Sequence, residues 1–140
     1  MKRYFIGMRS ILWGIMVKNT KNISFEYHPK FCKEFNKIIR KHQCPTLEED
    51  FEVFKNGLVD DLNSEDKLPN MYHRIAGLDS RVNKPAFIIK DFRCYGIKHG
   101  KKSGFRLVFV LYDFVVYFTE IYHKNRKTIE DKERINKLFK

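Results

Sequence analysis

The stretch GFRLVFVLYDFVVYFTEIYHK, residues 104–124, constrains the fold more than any other. Two runs rich in valine, phenylalanine and tyrosine, each of strand length, flank Asp113-Phe114, so the chain turns back there as a β-hairpin. A cationic glycine turn, Lys101–Gly104, leads in, and Tyr122-His123-Lys124-Asn125-Arg126-Lys127 leads out. The far end of an apolar hairpin thus carries groups that hold phosphate or move protons. Arg106 is unusual inside GFRLVFVLY, where a strand that merely meets solvent more often carries Thr, Ser or Lys. A two-residue turn at Asp113-Phe114 sets Arg106 beside Ile121 and on the face of His123, whereas a three-residue turn sets it opposite Glu120 for an ion pair. The two-residue turn is the commoner hairpin and gives the expected register.

Upstream, Ile23, Phe25 and Tyr27 alternate with Ser24, Glu26 and His28 at the period of a half-buried strand. Pro29 suits the first turn of a helix, along which Phe31, Phe35, Ile38 and Ile39 form one face and Lys33, Lys37, Arg40 and Lys41 the other. After the KHQCPT turn, Thr46 and Glu49 fit a capping box, and Glu48, Glu49 and Asp50 suit a helix N-terminus. Leu47, Phe51, Phe54, Leu58 and Leu62 continue on one face. Residues 63–85 are polar, with Pro69 and Gly77 as breakers. AFIIKDFRCYGI reads as a strand, and KTIEDKERINKLFK as a closing helix with Ile135, Leu138 and Phe139 as its apolar stripe.

This order predicts an α+β fold: an N-terminal strand, a two-helix hairpin, a three-stranded antiparallel segment completing one sheet, and a short C-terminal helix, with helices on one sheet face. Residues 20–140 make that domain. Residues 1–19 are expected to be an extension outside it, since their apolar stretch is broken by Arg9, lacks a small-residue cleavage site and is too short to span a membrane.

A net charge of +11 on 140 residues points to an anionic partner, nucleic acid ahead of a membrane surface. The charge gathers at Lys84, Lys90, Arg93, Lys98, Lys101, Lys102 and Arg106, with Asp91 the only acid between them. If the helices cover one sheet face, the other is a basic concavity where Phe92, Tyr95, Phe105, Tyr112 and Tyr122 offer stacking surfaces for bases. His123 stands where the last strand ends, and an imidazole readily both gives and takes a proton near neutral pH. His28, His42, His73 and His99 read as surface or packing residues. Cys32, Cys44 and Cys94 are irregularly spaced without a CxxC pair, and read as reduced packing thiols of a cytoplasmic protein. No HExxH, Cys-His spacing, GxGxxG or phosphate loop occurs, so no metal or cofactor is expected.

In this order of elements, IIKDFRCYGIKHGKKSGFRLVFVLYD and FTEIYHK resemble the RelE/ParE superfamily of toxins from toxin–antitoxin pairs, over Ile23 to Lys140 and most strongly over Phe87–Lys124. The similar features are a strand with spaced Lys and Arg, a Lys/Gly loop, a strand start of small residue, aromatic and Arg, and a last strand ending in Tyr-x-Lys. The resemblance implies a metal-independent endoribonuclease that cuts mRNA, commonly at the ribosome, and a cognate antitoxin that covers its basic face. It implies that Arg106 steadies the phosphate, that Lys90 and Arg93 assist from the preceding strand, that His123 falls where the YoeB-like branch carries its catalytic histidine, and that Lys124 matches the family's lysine. Lys98, Lys101, Lys102, Tyr122 and Arg126 are the expected RNA contacts around them.

In such chemistry the 2′-OH attacks the adjacent phosphate, which calls for a proton acceptor, charge stabilisation and a proton for the departing 5′-oxygen. Three features depart from the family pattern. Asn125 stands where the RelE branch has arginine, no tyrosine follows Tyr122, and Pro69-Asn70 stands nearest the YoeB branch's glutamate, with Glu65 and Asp66 upstream. The general base is therefore unassigned. The fold also serves ParE-like gyrase inhibitors, and a non-catalytic nucleic-acid-binding relative is the remaining alternative.

Overall fold

The computed structural model describes residues 22–64, 67–97 and 103–140. The expected extension over residues 1–19, and Lys98, Lys101 and Lys102 of the expected RNA contacts, lie outside the described residues. In chain order the elements are β1 (Ser24–Tyr27), α1 (Pro29–Arg40), α2 (Leu47–Asn63), β2 (His73–Arg74), β3 (Ala86–Ile89), β4 (Phe105–Tyr112), β5 (Val115–His123) and α3 (Lys132–Phe139). This is the expected α+β fold. Its five-stranded sheet runs β1-β5-β4-β3-β2, with β1 parallel to β5 and all other neighbours antiparallel. Among the described residues no helix is long and apolar enough to cross a membrane.

α1 begins where Pro29 fixes the first turn and the His28 ring caps it, Nδ1 accepting from the Lys30 N–H at 3.0 Å. The chain reverses at His42, whose φ is 55°. The expected capping box does not open α2. Thr46 donates its hydroxyl to Asp50 at 2.7 Å instead, because Asp50 is held in place by the Tyr95 N–H at 3.0 Å. On the α1 and α2 side of the sheet, Phe31, Phe35, Phe51, Leu58, Phe109 and Phe118 form one core. The Phe51 and Phe118 rings meet edge to face at 4.8 Å. Each such ring contributes about 1.5–3 kcal/mol on burial, which makes this aromatic layer the main cohesive feature. Lys55 is buried within it, its ammonium 4.2 Å from the Phe51 ring centroid and donating to the Tyr27 hydroxyl at 3.3 Å.

The opposite face is not the open basic concavity the sequence suggested. Ile135 of α3 and Ile75 cover Ala86, Ile88, Val108 and Val110 there as a second core. The cause lies in β3, whose residues AFII are all buried, so both of its faces need cover. Phe92, Phe105 and Tyr122 are only 2%, 3% and 7% exposed and offer no stacking surface in this arrangement. Tyr112 gives its hydroxyl to Glu26 at 2.7 Å, while Tyr95 is exposed beneath the Arg93 guanidinium at 5.2 Å. Leu138 of the expected stripe is also exposed.

The hairpin turns at Asp113-Phe114 as expected, with Tyr112 opposite Val115 and Asp113 at a φ of 53°. A bulge then changes the register: Phe109 pairs with Phe118 but Val108 with Glu120, leaving Thr119 as the extra residue. One added residue turns every later side chain to the other face. Arg106 consequently faces Tyr122, not Ile121 or Glu120, and lies on the α3 side, while His123 faces Phe105 on the α1 side.

Two further expectations are corrected. The strand over AFIIKDFRCYGI ends at Ile89, so Lys90 and Arg93 follow β3 and do not belong to it. The chain leaves the sheet because Cys94 is bonded to Cys44 and the Ser103 hydroxyl donates to the Phe92 carbonyl at 2.6 Å. That disulfide, with Cα atoms 6.3 Å apart and both residues fully buried, replaces the reduced thiols expected at these positions, and Cys32 is free.

Candidate functional site

The antiparallel order of β3, β4 and β5 brings Lys90, Arg106, His123 and Lys124 to one end of the sheet. They do not form one cluster. Lys90 and Lys124 are exposed, Arg93 lies over Tyr95, and Arg106 and His123 stand on opposite faces. Arg106 is half-buried beneath the connection to α3, its Nη1 donating to the Thr128 carbonyl at 3.4 Å and its buried Nε without a hydrogen-bond partner. Lys127 stands over the Tyr122 ring at 5.1 Å, and desolvation raises the Tyr122 pKa.

His123 is held by both ring nitrogens. Nδ1 accepts from the Asn125 N–H at 3.1 Å, which leaves Nε2 to donate to the Ser103 carbonyl at 3.0 Å. Its ring stands edge to face with Phe105 at 5.0 Å and lies across Gly104. The left-handed φ of 87° at Gly104 and the missing side chain permit this approach.

β1 covers only Val115–Phe118 of β5. Farther along, side chains satisfy the outer edge of β5. The Ile121 N–H donates to Glu34 at 3.2 Å, and the Thr119 carbonyl accepts from Arg134 at 2.6 Å. Arg134 also grips Glu34 through two N–H donors at 3.1 and 3.0 Å. Glu120, 1% exposed, pairs with Lys127 and accepts from the Asp131 N–H at 2.8 Å. Desolvation nevertheless raises its carboxyl pKa.

Between this edge and α1 opens a cleft of about 190 Å³, lined by Lys37, Gln43, His123 and Arg126, with Glu34 and Glu120 behind. Both carboxylates are already engaged, Glu34 by Arg134 and Glu120 by Lys127. Among the described residues Lys37 and Arg126 form no ion pair. The arrangement is an open, cation-rimmed pocket with an imidazole in its wall, suited chemically to an anion. Arg126 was among the expected RNA contacts. Lys37 and Gln43 were not, because only the packing of α1 against the end of β5 brings them there.

One cluster of metal-ligand type occurs among the described residues: Cys44, Asp50 and Cys94, with donor atoms within 4.8 Å of one another. The two sulfurs are bonded to each other, which leaves the group a single carboxylate ligand instead of three. Set against protein-family models, curated proteins and solved structures, the chain matches none of them.

Proposed function

We propose that the protein is an RNA-directed toxin of the RelE/ParE type, which binds mRNA, at the ribosome, through the β5 edge cleft and is neutralised by a cognate antitoxin. The observation that carries this reading is the cleft itself: His123 stands in its wall, its carboxylates are paired, and Lys37 and Arg126 are left to meet phosphate. The order of strand, helical hairpin, antiparallel strands and closing helix on which the resemblance rested supports it. On this reading the 2′-OH attacks the adjacent 3′-phosphate and the bond to the 5′-oxygen breaks, leaving a 2′,3′-cyclic phosphate. Arg126 and Lys37 balance charge on the phosphorane, and His123, its Nδ1 released from the Asn125 N–H, takes the 2′-OH proton and returns one to the departing 5′-oxygen. The site of action would be the cytoplasm. The Cys44–Cys94 bond is compatible with that setting because full burial shields it from thiols in solution.

A non-catalytic, RNA-binding relative is the second reading, favoured by the engagement of both His123 nitrogens and by the separation of Arg106 from His123. Mapping 5′ ends of cellular mRNA after induction separates the two. Cuts that depend on His123 support the nuclease. Stalled translation over intact mRNA supports the binder, and intact mRNA with accumulated DNA breaks would instead indicate a gyrase-directed toxin and sink both.

A further inference from the structure

We propose that Lys37, Arg40, Lys41 and Arg126 form a phosphodiester cradle that carries single-stranded RNA over the exposed side of α1 into the His123 cleft. The identity of the polymer rests on the RNA reading above, whereas the anion site rests on the arrangement of charge.

Three of these cations belong to the end of α1, where positive side chains suit the helix dipole. That explanation does not extend to Arg126, which comes from the connection between β5 and α3. Its backbone is fixed there by an N–H donated to the His123 carbonyl at 2.9 Å, and the next residue, Lys127, is anchored to Glu120. Arg126 itself is left exposed at the cleft. Lys37, Arg40 and Lys41 lie within the last turn of α1 and its cap, and Lys37 shares the cleft with Arg126. In keeping with this, Lys37 chiefly, then desolvation, Arg126 and Arg40, lower the Lys41 pKa. The nearby carboxylates cannot relieve this, because Glu34 holds Arg134 and Glu120 holds Lys127. A polyanion would relieve it.

The shape of the cleft favours nucleic acid over an acidic peptide. Its volume of about 190 Å³, closed behind by the largely buried Ile38, Phe105 and Ile121, has room for one base without an aromatic stack, with cations on the rim for the flanking phosphates. A base paired within a duplex cannot enter, so the strand must be single. Arg126 adds a planar, two-pronged donor suited to phosphate oxygens.

The test uses a fluorescent, fully 2′-O-methylated uridine oligonucleotide, which has no nucleophile and so reports binding alone. Lys37→Gln, Lys41→Gln and Arg126→Gln should each weaken binding several-fold and make the log–log salt slope shallower by about 0.7. Lys137→Gln, an exposed site on α3, should leave both unchanged, and Arg126→Lys should restore part of the loss. Thermal melts matched to wild type establish that the variants are folded. Equal effects at all four glutamine positions, or none at any, would overturn the cradle, as would binding to phosphatidylserine vesicles but not to the oligonucleotide. Cleavage of unmodified mRNA is scored separately. Absent cleavage with cradle-dependent binding ends the nuclease reading and leaves the cradle; cleavage undiminished in the cradle variants ends the cradle and leaves the nuclease.

Discussion

At Gly104 a Cβ would stand 2.5 Å from His123 Nε2, on a backbone held at a φ of 87°. Gly104→Ala should therefore cost about 1–3 kcal/mol in urea unfolding and shift the His123 ring resonances. An unchanged ring environment would show that the close approach is unimportant. Glu120 supplies a second test at this scale. Desolvation raises its folded pKa above the ordinary 4.5, so the native state keeps a proton that the unfolded chain has released. Between those two values the native state binds more protons, and stability should fall as pH rises from 4.5 through the folded value. Glu120→Gln should remove that slope, as measured by denaturation across the window; a slope that survives belongs to another group. Neither residue's role was readable in the sequence. Gly104 reads as a turn glycine until a ring is placed over it, and Glu120 reads as a partner for Arg106 only under a three-residue turn, which the hairpin does not make.

Among the elements, α3 packs on the sheet through Ile135 and Phe139 and is tied to the edge of β5 by Arg134, which joins the Thr119 carbonyl and Glu34 where β1 has ended. Arg134→Ala would leave the Thr119 carbonyl without its donor and Glu34 with only the Ile121 N–H, and should destabilise by about 1–3 kcal/mol, loosening α3 in hydrogen exchange before the rest of the fold. Protection of α3 equal to that of the sheet would contradict this. The disulfide fastens the α1–α2 turn to the chain beyond β3 across a separation of 50 residues. Opening that loop should cost about 4 kcal/mol, so the double variant Cys44→Ala with Cys94→Ala should lower the urea midpoint markedly. A midpoint that does not move would return both cysteines to the reduced state read from the sequence. The helices and main strands were legible because Phe31, Phe35 and Ile38, or Ile23, Phe25 and Tyr27, repeat at their own periods. β2 was not, since His73 and Arg74 are too short a pair to show a period. Thr119 looks like any strand residue, so nothing marked the bulge. The capping box failed because Asp50, in the first turn of α2, competed for the Thr46 hydroxyl.

For the molecule as a whole, the sign of the charge was legible and its placement was not. Placement depended on which sheet face α3 would cover, and its apolar positions, few in a short helix, could have packed on either. The parallel pairing of β1 with β5 sets a different constraint, on time. β1 leaves the ribosome long before β5, its one sheet neighbour among the described residues, so Phe25 and Tyr27 wait without that partner while most of the domain is still being made. Such long-range closure folds on a scale of roughly milliseconds to seconds. Nascent chains halted short of Val115 should be digested by protease as readily as an unfolded polypeptide, whereas chains released through Phe139 should resist. Early resistance would mean that α1 and α2 hold β1 without its partner. A strand made early and completed late leaves an apolar edge open during synthesis, and that interval is when another polypeptide, rather than RNA, has its best access to this protein.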